Sequence, residues 1–140
     1  MAKRVLVVDD HVPTRTLIRA VIEAEKTEPF EVFEAGTGRD GLRIAEKHGP
    51  FDLVLLDVIL PDIDGYAVCR ALRHADELVP IVFVTVAGGL EDCARGRDAG
   101  GDSYLVKPIA RTVLRSTVRL FTSIERAEGR DGDGKGRRGS

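Results

Sequence analysis

"FDLVLLDVILPDIDG", residues 51–65, holds four consecutive apolar residues, Leu53, Val54, Leu55 and Leu56, that stop at a carboxylate, Asp57, and run into the turn-rich "PDIDG". An unbroken apolar run of this length fits a strand covered on both faces. A carboxylate at the end of such a strand either costs the fold stability or does chemistry there. Four more strand-length runs rich in Val, Ile, Leu and Phe lie at 4–8, 30–34, 81–84 and 104–106. Those at 4–8 and 81–84 are apolar almost throughout, whereas "FEVFEA" alternates with Glu31 and Glu34 and reads as an edge strand.

Helical patterns separate these strands. Residues 16–25 carry Leu17, Ile18, Val21 and Ile22 at helical spacing, with Pro13 placed for a first turn. Thr37 stands as an N-cap with Asp40 three residues later, and Gly49 as a stop. Segments 66–72, 90–99 and 111–124 complete the set, the last with Leu114, Val118, Phe121 and Ile124 along one stripe. Strands joined by helices require parallel crossovers, so the expected class is α/β, a (βα)5 doubly wound five-stranded parallel sheet with helices on both faces.

A chain of 140 residues, 43% hydrophobic, suits one domain with its own core. The formal net charge of -2 supplies no basic field for nucleic acid or a membrane surface. No stretch reaches the roughly eighteen apolar residues of a membrane span. "MAKRVLVVDD" is too short an apolar run for a secretory leader, so a cytoplasmic location is expected. Cys69 and Cys93 lack metal-type spacing and are expected as free buried thiols. After Arg126 the composition changes: "EGRDGDGKGRRGS" alternates glycine with charge. That predicts a domain over 1–126 and a flexible tail over 127–140.

In a sheet of this kind ligands gather at the carboxyl ends of the strands, where strand order reverses. There the chain places Asp9 and Asp10, Asp57, Thr85, and Lys107 followed by Pro108. Three carboxylates brought together raise one another's pKa unless they share a cation. Mg2+ suits them, since it prefers oxygen ligands and keeps sites for water or phosphate. Lysine adds a mobile cation and threonine a hydroxyl donor for a bound anion, so the set reads as a phosphoryl site.

"VLVVDDHVPTR", "FDLVLLDVILPDIDG", "PIVFVTV" and "AGGDSYLVKPI" resemble the successive signatures of the response regulator receiver domain, the phosphoacceptor module of two-component signalling in the CheY-like superfamily. The resemblance spans 3–124 and implies a flavodoxin-like receiver fold. It implies that Asp57 accepts a phosphoryl group from a histidine kinase or a histidine phosphotransfer protein. It implies Mg2+ on Asp9, Asp10, Asp57 and the main-chain carbonyl of Ile59, phosphoryl oxygens on Thr85 and Lys107, and Tyr104 as the aromatic that changes rotamer with Thr85. A cis Lys107–Pro108 bond follows from the same likeness. The expected protein is not an enzyme on external substrates and catalyses only its own phosphorylation and dephosphorylation. Its downstream target is expected on the face 90–99, 103–106 and 111–124.

Several residues depart from the family pattern. Val86 replaces a small residue after Thr85 and narrows the mouth, while Ile59 and Ala87 stand at positions that often tune hydrolysis. Neither side chain orients water by hydrogen bonding, which predicts slow self-dephosphorylation. Gly88 and Gly89 predict a mobile loop. Ser103 replaces an acid and argues against dimerisation through the family's charged pairs, leaving a monomer or weak dimer. His11, Arg70, Arg73, Arg95 and Arg97 are read as solvated surface residues. The favoured function is a single-domain relay. The alternatives are a constitutive pseudo-receiver and a receiver fragment of a longer regulator; an aspartate-based phosphatase would want an acid at Ile59.

Overall fold

The computed structural model describes residues 2–123. Its elements alternate as β1 (Lys3–Val8), α1 (Val12–Glu23), β2 (Phe30–Ala35), α2 (Gly38–His48), β3 (Leu53–Leu56), α3 (Gly65–Ala75), β4 (Ile81–Thr85), α4 (Leu90–Ala99), β5 (Ser103–Val106) and α5 (Arg111–Thr122). All five strands are parallel, in the order β2-β1-β3-β4-β5, so the order reverses between β1 and β3. Asp9, Asp10 and Asp57 follow those two strands.

The unbroken apolar runs are explained by two cores. Odd residues of β1 and β3, with Val82 and Val84 of β4, pack against Ile18, Ile22, Leu114 and Val118 of α1 and α5. Even residues of β1 and β3, with Ile81 and Phe83, pack against Val68, Cys69 and Leu72 of α3. Side chains of a strand point alternately to the two faces, so only a strand buried on both can be apolar at every position. On α5, Leu114 and Val118 are buried and Phe121 half-buried; Ile124 and the expected tail over 127–140 lie outside the described residues. Cys69 is a buried free thiol whose pKa burial pushes up to about 11, whereas Cys93 is only half-buried.

Helix α1 starts at Val12 with Pro13 in its first turn, as the sequence led one to expect, since proline there needs no donor. The structure changes two sequence readings, at Arg73 and Arg95. Arg73 is not solvated: its guanidinium donates to the carbonyls of Glu77 (2.9 Å), Val79 (2.6 Å) and Gly100 (2.7 Å), and pairs with Asp102 at 3.1 Å. It ties the connection after α3 to the turn after α4, a contact that no helix-face pattern displays. Arg95 lies over the Tyr66 ring, 4.8 Å from its centroid.

The acids of "PDIDG" are helix caps. Asp64 accepts the Ala67 N–H at 2.9 Å and starts α3, and Asp62 accepts the N–H groups of Gly38 and Arg39 at the start of α2, both at 2.9 Å. Those donors hold the Asp62 carboxyl at about 2, against its ordinary 3.8. A carboxyl with a lowered folded pKa stabilises the fold above its unfolded value, and that contribution disappears as pH falls through the folded value. Asp62→Asn is therefore expected to lower the melting temperature by a constant amount above about pH 5. The gap closes toward pH 2, as thermal melts across that range will show.

Candidate functional site

The main-chain ladder continues past the ends of β1 and β3 and fixes the two buried acids. The Asp9 N–H donates to the Ala35 carbonyl (3.0 Å) and the Asp57 N–H to the Val8 carbonyl (2.9 Å). The side chain of Asp57 is 6% exposed and that of Asp9 2%. Lys107 arrives from β5 after its N–H bonds the Thr85 carbonyl at 2.8 Å, and the Lys107–Pro108 bond is cis, as is Gly49–Pro50.

Lys107 joins the two acids. Its Nζ donates to Asp57 Oδ2 at 3.0 Å and lies 2.8 Å from Asp9 Oδ2. The buried Asp9 Oδ2 is thus ion-paired to the same ammonium, which is shared between the two carboxylates. The other oxygens take backbone donors: Asp57 Oδ1 accepts the Ile59 N–H at 3.1 Å, and Asp9 Oδ1 the His11 N–H at 2.9 Å. Burial pushes the Asp9 carboxyl above its ordinary value, with Lys107 and the His11 N–H pulling it back and Asp57 adding repulsion. Burial disfavours the Lys107 ammonium, but the two carboxylates together outweigh this and raise its pKa. Lys107 stays charged at neutral pH.

Asp10 is exposed, but its carboxylate reaches the other two: one oxygen from each of Asp9, Asp10 and Asp57 lies within 4.8 Å of the others. Three carboxylates face one ammonium, and two of the three are buried. Such an excess is costly unless a cation offsets it. A small divalent ion with oxygen preference matches both the charge and the donors, and Asp9 Oδ2 has hydrogen-bonding capacity to spare.

Thr85 and Tyr104 meet through one loop residue. The buried Thr85 Oγ1 accepts the Ala87 N–H at 3.3 Å, and the Tyr104 hydroxyl donates to the Ala87 carbonyl at 2.5 Å. The Tyr104 ring lies inward against Phe83, centroids 5.4 Å apart, and its hydroxyl is 3.1 Å from that of Tyr66. Gly89 starts α4, its N–H held by the Asp92 carboxylate at 3.1 Å.

The family model of the response regulator receiver domain matches residues 5–119. The chain belongs to the response regulator receiver family. Receivers are the modules of two-component systems, and phosphorelay through an aspartate with Mg2+ at an acidic pocket is typical of them. Among curated relatives, the Escherichia coli transcriptional regulatory protein PcoR is 36% identical over 127 residues, covering 90% of this chain and 54% of its own. The Streptomyces coelicolor transcriptional regulatory protein AfsQ1 is 40% identical over 103 residues, covering 73% of this chain and 45% of its own. The chain thus spans about half the length of these relatives. A CheY-like receiver domain protein from Methanospirillum hungatei superposes with a TM-score of 0.81 at 28% identity, covering 88% of this chain and 95% of that one.

Within this receiver, the structure brings Asp9, Asp10, Asp57 and Lys107 into one cleft, with Thr85 at the end of the adjoining strand. Ile59 reaches the cleft through its N–H and is 55% exposed. Val86 is 62% exposed and lines a surface groove beside His11, Lys107 and Pro108. Sequence reading passed over Tyr66. Its hydroxyl also donates to the Asp92 carbonyl at 2.9 Å, a contact 26 residues away that no local pattern reveals. Among the described residues no helix is long and apolar enough to cross a membrane.

Proposed function

We propose that Asp57 accepts a phosphoryl group from the phosphohistidine of a kinase or phosphotransfer protein, with Mg2+ held by Asp9, Asp10, Asp57 and the Ile59 carbonyl. The convergence of three carboxylates and Lys107 on one cleft carries this reading. An Asp57 oxygen attacks phosphorus in line. The new O–P bond forms as the bond to the donor breaks and the leaving group departs with its electron pair. Lys107 stays beside the acceptor as negative charge builds on the phosphoryl oxygens, and the Thr85 hydroxyl turns to donate to one of them. Bound Mg2+ supplies charge neutralisation and a template for the oxygens. In an acetyl phosphate assay read by intact mass, chelating the metal is expected to cut labelling by at least about tenfold. Undiminished labelling in chelator would remove the metal from this account.

A donated Thr85 hydroxyl releases or shifts the Ala87 N–H, and Ala87 also holds the Tyr104 hydroxyl. Phosphorylation thereby reaches the surface over 90–99, 103–106 and 111–124, where Leu90 and Val106 are exposed and apolar. That surface is the proposed site of the downstream protein contact. Dephosphorylation needs a water aimed at phosphorus, which takes the phosphoryl group as the Asp57 carboxylate leaves, and neither the Ile59 nor the Ala87 side chain aims one. The acyl phosphate is expected to last minutes to hours, and Ile59→Asn to shorten its half-life about tenfold, the worth of one hydrogen bond in the transition state. A half-life of a few seconds in the unaltered protein would count against this.

A freestanding relay and a receiver within a longer regulator share this chemistry. The second reading is favoured by relatives about twice as long. The size of the native protein on an immunoblot separates them. The proposed division at residue 126 predicts that brief trypsin treatment trims 127–140 and spares the rest.

A further inference from the structure

We infer that Tyr66 and Gly96 form the socket that seats the Tyr104 ring and so set the balance between its inward and outward rotamers. The inference rests on the proposed role of Tyr104 as the residue that moves.

Gly96 lies inside α4, where glycine costs helix stability relative to alanine. A Cβ there would come within 2.8 and 2.9 Å of Tyr104 Cδ2 and Cε2, and 3.2 Å of Phe83 Cδ2. The inward ring therefore fills the space that the missing side chain leaves. Tyr66, 3% exposed, closes the socket from α3. Each tyrosine hydroxyl has one proton. Tyr104 gives its proton to the Ala87 carbonyl, so in the 3.1 Å contact Tyr66 is the donor, sharing its proton between the Tyr104 oxygen and the Asp92 carbonyl. When Tyr104 swings out, Tyr66 keeps the Asp92 carbonyl as its acceptor and is not orphaned. The outward rotamer is thus accessible, while the inward one gains an additional hydrogen bond. Arg95 over the Tyr66 ring holds the donor in place. Tyr66 acts through Tyr104 and is a positioning residue.

The test uses 3-fluorotyrosine. The sequence has two tyrosines, so the fluorine spectrum has two sites, assigned with Tyr66→Phe and Tyr104→Phe. The H2O-to-D2O shift of the Tyr104 resonance reports how far its ring faces solvent. Tyr66→Phe keeps the ring and removes only the hydroxyl; it is expected to lower the inward-to-outward ratio about two- to tenfold, increasing the isotope shift. Acetyl phosphate with Mg2+ is expected to move it back. Gly96→Ala is expected to drive Tyr104 outward more completely. An unchanged Tyr104 resonance and isotope shift in Tyr66→Phe would overturn the socket; if Gly96→Ala fails to fold, Tyr66→Phe decides alone. Intact mass is read on the same samples. Loss of labelling in every form, the unaltered protein included, would sink the acceptor reading and leave the donor-free spectra to judge the socket. Labelling with an unmoved Tyr104 in Tyr66→Phe would sink the socket alone.

Discussion

Asp57→Asn is expected to lower phosphoryl incorporation from acetyl phosphate and Mg2+ by on the order of 10³-fold or more, the scale on which losing a nucleophile acts. Asparagine has the size of aspartate and keeps the N–H that bonds the Val8 carbonyl, so β3 and its end stay where they are. The amide is a poor nucleophile, and it turns either a second acceptor or an unwanted donor toward Lys107. Stability is not expected to fall in proportion, because one of three crowded carboxylates is removed while Asp9 still pairs with Lys107. Intact mass and a thermal melt on one sample separate the two effects. Labelling of Asp57→Asn at the stoichiometry of the unaltered protein would refute the assignment.

Gly65→Ala is expected to cost about 2–3 kcal/mol, since its new methyl group meets backbone that does not yield. A Cβ at position 65 would overlap the Asp57 carbonyl oxygen and come within 2.7 Å of Val58 Cα. Both atoms belong to the segment that aims the acceptor. The Gly65 N–H bonds the Val58 carbonyl at 2.7 Å, so the first turn of α3 lies directly on the end of β3. The backbone at Gly65 needs no left-handed conformation; among the described residues the positive-φ position is Gly100, at 108°. Close approach, rather than freedom of φ, makes glycine necessary at 65. The melting temperature should drop by on the order of 10 °C, and the rate of labelling should fall with it as Asp57 shifts against Lys107. A melt within a degree or so of the unaltered protein would show that the loop gives way at no cost.

The parts of this molecule that were legible in the sequence are those whose cause is local. Leu53 to Leu56 had to be a doubly covered strand because nothing polar interrupts it, and Thr37 had to cap α2 because its oxygen lies three residues from the Asp40 N–H that it accepts at 3.0 Å. The cleft was legible too, since the topology rule carries the ends of β1, β3 and β5 to one edge and the acids at those ends are visible as letters. Contacts between distant segments were not legible. Asp62 caps a helix 24 residues back in the chain, Arg73 binds carbonyls in two separate turns, and Tyr66 meets Tyr104 across 38 residues. In each case the residue type fits many solvent-facing or core positions equally well, and only the folded chain supplies the partner. The close approach at Gly65 is of the same kind, since a glycine closing the turn-rich "PDIDG" does not announce that its α-carbon lies against the Asp57 carbonyl.

The most direct test of the central claim is to locate the phosphoryl group. The protein, labelled with acetyl phosphate and Mg2+, is reduced with borohydride, which converts an acyl phosphate to the corresponding alcohol. It is then digested and sequenced by mass spectrometry. The account predicts a reduced side chain at residue 57 in amount equal to the label, and none at Asp9 or Asp10. Label at His11, at either of those acids or on a hydroxyl residue, with residue 57 unaltered, would contradict it.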